Sequence, residues 1–124
     1  MPTLKPVSRI ASSKDDLSAL PDEVRGDVGQ ALYVAQRGAK HVDAKVLKGF
    51  GGAGVLEVVA RHDGDTFRAV YTVRFATAIY VLHVFQKKSK SGTATPKKDM
   101  DLVKSRLKLA EEDYAHWTRA GGGP

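Results

Sequence analysis

The chain has 124 residues, enough for one domain with a buried core, and its 42% hydrophobic and 27% charged residues are ordinary for a globular protein. It has no cysteine, which excludes disulfides, thiolate metal sites and cysteine nucleophiles, and its four histidines lack metal-ligand spacing. The net charge is +6, no apolar run approaches the ~20 residues that span a bilayer, and the N-terminus lacks a signal-peptide core, so we expect a cytoplasmic protein without membrane contact.

The N-terminal part of the chain predicts a short strand followed by two helices. Residues Leu4–Ile10 are a strand candidate, which Pro6 confines to a sheet edge or a strand start. A serine followed by an acidic residue three positions later predicts a helix over residues 13–20. A second helix begins at Pro21 and ends at Gly38. Its core face is predicted to consist of Val24, Val28, Ala31, Leu32 and Ala35.

Three strands are predicted after a glycine-rich loop at residues 48–54. The glycines of this loop do not follow a strand and open a helix, so it is not a phosphate-binding loop. Asp63-Gly64 lies between two β-rich runs and predicts a hairpin turn. The predicted strands are Val55–His62, Thr66–Arg74 and Ala78–Gln86.

The C-terminal part predicts a long helix, with Thr95 as its cap and Pro96 at its first position. Its apolar residues recur every three or four positions: Met100, Val103, Leu107, Ala110, Tyr114 and Trp117. We therefore predict one α+β domain over residues 1–120 and a flexible tail over residues 121–124. The domain has a small twisted, mainly antiparallel sheet of about four strands, two N-terminal helices and one C-terminal helix. The helices are expected on one side of the sheet and a basic cleft on the other.

The excess positive charge is confined to one segment. Residues 86–108 contain eight lysines and arginines and two aspartates. The net charge of this segment is therefore +6, the same as that of the whole chain. Such a segment favours a basic patch that attracts phosphates, although a solvated lysine-rich helix face is an equally simple interpretation.

The alternation of side chains along the strands assigns the charged residues to faces of the sheet. The third predicted strand is apolar on both faces, which is typical of a central strand or of one covered on both sides. Four cations form a cleft if their strands place them on the same side: Arg61, Arg68, His83 and Lys87. Each has a simpler interpretation, as a solvated charge, as a hydrogen-bonded structural histidine, or, for the arginines, as a partner of Glu57 across the strands.

The order of these elements, with Leu47-Lys48-Gly49 before the sheet and Phe67–Tyr71 on a strand, resembles the RelE/HigB toxins. The segment Val81–Lys90, followed by Thr95-Pro96 and a basic helix, is most similar to the phage-derived HigB/Tad-type branch of the RelE/ParE superfamily. The resemblance covers roughly residues 4–109.

This resemblance implies the toxin of a type II toxin–antitoxin system that acts as a metal-independent, ribosome-dependent mRNA endonuclease and inhibits translation. It implies no cofactor. The implied partners are the ribosome with its mRNA and a helix-turn-helix antitoxin. Operator DNA is bound only by the complex of the toxin with this antitoxin. Arg68 matches the family's strand arginine, Lys87 matches the basic residue at the end of the last strand, and Arg61 matches the cation that often ends the preceding strand. Where some RelE toxins have two lysines on that preceding strand, this chain has Glu57 and Val59, so the general base is not identified.

Metal-free RNA cleavage needs cations for the charge on the phosphate, a base for the 2′-hydroxyl proton and an acid for the leaving oxygen. Histidine is the side-chain type that titrates near neutral pH, which makes His83 a candidate base, and clustered cations make a lysine conceivable. The candidate catalytic residues are Arg68, Lys87, His83 and Arg61. The candidate RNA- or phosphate-binding residues are Lys48, Lys88, Lys90, Lys97 and Lys104. Two other functions stay open, namely a ParE-like toxin that inhibits DNA gyrase without nuclease activity and a non-toxic phage-derived nucleic-acid-binding module.

Overall fold

The computed structural model describes residues 4–87 and 95–119, which form a five-stranded sheet and three helices. The predicted tail at residues 121–124 and the predicted RNA contacts Lys88 and Lys90 lie outside the described residues. In chain order the elements are β1 (Val7–Arg9), α1 (Ser13–Ser18), α2 (Asp22–Gln36), β2 (Ala44–Val46), β3 (Val55–His62), β4 (Asp65–Thr72), β5 (Ile79–Lys87) and α3 (Lys97–Arg119).

The strand order in the sheet is β1-β5-β4-β3-β2. The pairings β2–β3, β3–β4 and β4–β5 are antiparallel, whereas β1 pairs with β5 in parallel, so the sheet is mixed. The prediction of about four strands was wrong because β2 has only three residues, too few for an alternating pattern to show in the sequence. The prediction of a mainly antiparallel sheet is confirmed by three of the four pairings.

The predicted hairpin between β3 and β4 is confirmed. His62 pairs with Asp65, which leaves a two-residue loop of Asp63 and Gly64. Both loop residues have positive φ, 51° for Asp63 and 83° for Gly64, as a type I′ turn requires. This turn type matches the twist of the two strands and sets their register.

Helices cover both faces of the sheet, so the prediction of helices on one side only was wrong. Helices α1 and α2 lie on one face, and α2 buries there the five apolar residues that were predicted as its core face. Helix α3 lies on the other face, where Val103 and Leu107 are in one cluster with Val70, Tyr80 and Leu82. These two layers explain why β5 is apolar on both faces. Helix α3 covers one face of β5, and the core beneath α1 and α2 covers the other.

A β-bulge in β5 changes which residues face α3. Val70 pairs with His83 and Tyr71 pairs with Val81, so Leu82 is an extra residue on β5. As a result Val81 packs in the core with α2, whereas His83 lies on the α3 side with Leu82. Simple alternation had placed Val81 and His83 on the same face, and the bulge makes that prediction wrong.

Candidate active site

A groove of about 680 Å³ lies on the α3 side of the sheet, beside the beginning of α3. Its floor is formed by β3 and β4, and its sides by β2, the loop after β2 and the first residues of the α3 segment, including Met100. Four cations line it (Lys45, Lys48, Arg61 and Arg68) together with two acids (Asp43 and Glu57). The groove therefore combines positive charge at its rim with a carboxylate and a guanidinium at its base.

The strand register explains why these side chains meet. Lys45 of β2 is opposite Glu57 of β3, and Arg68 of β4 is opposite Val59. Opposite residues of paired strands point to the same face of a sheet, and residues two apart on one strand share that face. Arg61 follows Glu57 by four positions, so it lies on the same face.

Glu57 and Arg68 form a buried ion pair at the base of the groove. Nη1 of Arg68 donates to Oε1 of Glu57 over 2.9 Å, and the two residues are only 5% (Arg68) and 8% (Glu57) exposed. The interpretation of Arg68 as a solvated charge is therefore wrong, because the arginine is buried against this carboxylate. Of the pairings left open for Glu57, the structure shows the one with Arg68.

Thr95, from the segment before α3, forms a buried cluster with Glu57 and Arg68. Its hydroxyl donates to Oε2 of Glu57 over 2.7 Å and lies 3.4 Å from Nη1 of Arg68. The prediction that Thr95 caps α3 was wrong, since the helix begins at Lys97 and the amide of Met100 donates to the carbonyl of Pro96. The hydroxyl of Thr95 therefore binds Glu57 in the groove and does not cap the helix.

Three cations at the groove are exposed to solvent: Lys45, Lys48 and Arg61. Two of them, Lys48 and Arg61, were candidates from the sequence. Lys45 was missed because β2 was not recognised as a strand. Exposed cations around a concave surface attract an anionic polymer such as RNA and leave their charge available to it.

His83 lies under α3 and not in the groove. It is 6% exposed, its Nε2 is 2.7 Å from Oδ1 of Asp99, and its ring stacks on Phe85 with centroids 4.6 Å apart. Nη1 of Arg106 lies 3.2 Å from Nδ1 of His83. A guanidinium only donates, so Nδ1 accepts and Nε2 carries the proton that is donated to Asp99. This histidine therefore connects β5 to α3.

The remaining candidate residues are more dispersed. Lys87 is the last residue of β5, 9% exposed, and pairs with Thr66, which in turn is opposite Arg61. It shares the face of the groove at the adjoining strand end. Lys97 and Lys104 are exposed on α3, and the ammonium group of Lys97 is 3.8 Å from a carboxylate oxygen of Asp101.

Besides Lys45, sequence reasoning missed the roles of Glu57 and Thr95 in this arrangement. Glu57 was considered only as a residue that neutralises arginines, although its shared parity with Arg61 already placed it on the cationic face. No signal in the sequence points to the hydrogen bond from Thr95, since it joins residues 38 positions apart.

Within residues 4–87 and 95–119, no group of three or more histidines, cysteines or acids is arranged to hold a metal ion. None of the helices in that part of the chain is both long and apolar enough to cross a membrane.

Comparison with known families identifies the group of proteins to which the chain is related. A family model described as "Phage derived protein Gp49-like (DUF891)" matches residues 15–108. The match includes the three residues of the buried cluster, Glu57, Arg68 and Thr95. No curated protein and no solved structure matches the chain. Because the family model covers well over half of the sequence, this protein belongs to the phage-derived Gp49-like family, a RelE-like toxin family of toxin–antitoxin systems.

Proposed function

We propose that this protein is the toxin of a type II toxin–antitoxin pair, of the HigB/Tad-type branch, and that it cleaves mRNA on the ribosome without a metal ion. The observation that carries the proposal is the groove, in which a buried carboxylate–guanidinium pair lies beneath exposed cations. This combination supplies both a proton acceptor and positive charge where a phosphodiester would lie.

Glu57 is the proposed general base. An ionised carboxylate has about four lone-pair sites, and the bonds from Arg68 and Thr95 use two of them. The carboxylate lines the groove, where a free lone pair can accept the proton of an RNA 2′-hydroxyl. The 2′-oxygen then attacks the adjacent phosphorus, the bond to the 5′-oxygen breaks, and a 2′,3′-cyclic phosphate forms.

Arg68 is the proposed electrostatic group. Negative charge develops on the non-bridging phosphate oxygens as the 2′-oxygen attacks, and a guanidinium matches two such oxygens in geometry. Arg68 is pre-positioned by Glu57, so the protein need not reorganise when the charge develops. Removing a preorganised donor of this kind typically costs on the order of 10²–10³ in rate.

The leaving 5′-oxygen requires a proton. Lys87 is our candidate for this acid, because it lies on the same face of the sheet and is a diagonal neighbour of Arg68 on the adjacent strand, at roughly 7–8 Å. Arg61 is better suited to holding a neighbouring phosphate, since an arginine does not give up its proton in proteins.

Substrate binding is assigned to the exposed cations. Lys45, Lys48 and Arg61 surround the groove, and Lys97 and Lys104 extend the positive surface along α3. These side chains fit the sugar–phosphate backbone of mRNA and of the ribosomal RNA around it. In this proposal a helix-turn-helix antitoxin neutralises the protein, and operator DNA is bound only through their complex.

One observation favours a non-catalytic toxin. Glu57 and Arg68 bind each other as a buried ion pair, an arrangement that a purely structural pair also has. A ParE-like protein that inhibits DNA gyrase through its surface would need nothing more from these two residues.

The test uses Glu57→Gln, which keeps the size of the side chain and one acceptor oxygen for Arg68 but removes the base. We expect it to bind ribosomes programmed with a defined mRNA as the wild type does, and to cleave that mRNA at least ~100-fold more slowly. Glu112→Gln, on the exposed part of α3, is the matched control and should cleave normally. Normal cleavage by folded Glu57→Gln would remove Glu57 from the mechanism, and absence of cleavage by the wild type would refute the nuclease proposal.

A further inference from the structure

We infer that Thr95 is a positioning residue of this site, whose hydroxyl fixes the plane of the Glu57 carboxylate so that its free lone pairs face the groove. This inference rests on the proposed function and assigns a role to a residue outside the sheet. It is carried by the geometry of one three-membered cluster, in which β3 supplies Glu57, β4 supplies Arg68 and the segment before α3 supplies Thr95.

The shortest hydrogen bond of the cluster is the one from Thr95. A hydroxyl-to-carboxylate hydrogen bond of 2.7 Å is charge-assisted and short, which makes it about twice as strong as a neutral one. A threonine hydroxyl has one proton, and here the carboxylate receives it, so the hydroxyl accepts in its 3.4 Å interaction with Arg68. Each of the three residues of the cluster therefore shares a hydrogen bond with each of the other two.

The two bonds to Glu57 act on different oxygens. Arg68 binds Oε1 and Thr95 binds Oε2. The last torsion of a glutamate side chain is broad, so a single anchored oxygen leaves the carboxylate free to rotate about that anchor. Two anchors define its plane and hence the direction of the remaining lone pairs.

The position of Thr95 depends in turn on how α3 is attached to the sheet. Asp99 in the first turn of α3 binds His83, and Nη1 of Arg106 donates to the carbonyl of Leu82 over 3.1 Å. These hydrogen bonds hold the beginning of α3 over β5, with Thr95 just ahead of it. The buried His83 contributes to the site in this way without entering the groove.

A positioning role predicts a specific kinetic effect. Removing the hydroxyl leaves the exposed cations that hold RNA unchanged, so binding should persist. The carboxylate would spend less time in the orientation that accepts the 2′-hydroxyl proton, and a displacement near 1 Å can cost ~10²-fold in rate. The loss should therefore fall on the maximal rate and not on the half-saturating concentration.

The experiment compares Thr95→Val, Thr95→Ser and Thr77→Val on ribosomes programmed with a defined mRNA, with protein concentration varied. Thr77 is the matched control, because its hydroxyl lies 2.9 Å from the hydroxyl of Tyr114 at the other end of β5. We expect Thr95→Val to lower the maximal cleavage rate ~10–100-fold with an unchanged half-saturating concentration. Thr95→Ser, which keeps the hydroxyl, should restore most of the rate, and Thr77→Val should cleave normally.

Each other outcome has a separate meaning. Wild-type rates in Thr95→Val, with an active wild type, would overturn the positioning role and leave the proposed nuclease standing. An equal loss in Thr95→Ser, or in Thr77→Val, would show that packing and not the hydroxyl is responsible, which also overturns it. A wild type that cleaves no mRNA would refute the proposed function and this inference together.

Discussion

The buried pair of Glu57 and Arg68 makes a quantitative prediction about stability. Arg68→Ala would leave the carboxylate of Glu57, on a residue that is 8% exposed, with Thr95 as the one hydrogen-bond donor that remains among the described residues. Removing one partner of a buried ion pair typically costs ~3–5 kcal/mol, because the other charge stays desolvated. Since domains of this size are stable by only ~5–15 kcal/mol, this single change should remove a large share of the free energy of unfolding.

Two variants separate this effect from a general loss of charge. Arg61→Ala removes an exposed cation from the same face of the sheet and should change the free energy of unfolding by less than ~0.5 kcal/mol. A double variant with methionine at both Glu57 and Arg68 leaves no buried charge and should be more stable than Arg68→Ala. With the single variants Glu57→Met and Arg68→Met, this double variant forms a double-mutant cycle that gives the coupling between the two sites.

The assay is equilibrium unfolding in urea, followed by circular dichroism and by the fluorescence of Trp117, which is partly buried against Tyr114 with ring centroids 6.0 Å apart. A decrease below ~1 kcal/mol for Arg68→Ala, similar to that of Arg61→Ala, would contradict a desolvated ion pair at this position. The same experiment matters for cell assays, because relief of growth arrest by Arg68→Ala indicates catalysis only where the variant remains folded.

Three further predictions concern other parts of the molecule. Burial raises the pKa of Tyr71 to about 12, whereas its pKa in the unfolded state is near 10. Between these two values the tyrosine is protonated in the folded state and ionised in the unfolded state. The stability that this group contributes is therefore complete below pH 10 and declines as the pH rises toward 12. The hydroxyl of Tyr71 has no hydrogen-bond partner in the described structure, so Tyr71→Phe should raise the free energy of unfolding by ~1 kcal/mol at neutral pH and reduce the alkaline decline in stability. Urea titrations at several pH values would show both effects, and a loss of stability at neutral pH would contradict this prediction. Replacing Lys45, Lys48 and Arg61 together with alanine should lower the slope of log K against log salt for single-stranded RNA by ~0.7 for each phosphate that is no longer neutralised, and an unchanged slope would exclude the groove as the RNA site. His83→Gln should lower the free energy of unfolding by ~1–3 kcal/mol while the folded protein still cleaves, whereas unchanged stability with no cleavage would identify the histidine as the base.

The elements with strong local signals could be predicted from the sequence. The turn at Asp63-Gly64, the strands on both sides of it and the periodic face of α3 depend on residues that are close in the chain. Their boundaries in the structure lie within a few residues of the prediction. Local propensity and tertiary packing agree in these elements, so short-range reasoning is sufficient for them.

Features that depend on pairing between distant strands could not be predicted in the same way. The extra residue Leu82 changes the face of every later residue in β5, and nothing in an apolar run shows where such a bulge lies. The short strand β2 is identified only by its pairing with β3, and with it Lys45 was missed.

The candidate site was predicted in part for the same reason. Parity within each strand left open whether Arg61 and Arg68 share a face of the sheet, and the register shows that they do. The burial of Arg68 was not predicted, because it depends on Glu57 from the adjacent strand and on Thr95 from a segment 27 residues further along. A charged residue in a strand has no local signal that distinguishes a solvated side chain from a buried pair.

Cleavage of mRNA by this groove is tested most directly by a map of transcript 5′ ends after the wild-type chain is added to a translating extract. We expect new 5′ ends within translated regions, and we expect them to be absent when translation is blocked and absent with Glu57→Gln. Intact transcripts from a protein that nevertheless arrests growth, with DNA damage in the host, would contradict it and favour inhibition of DNA gyrase.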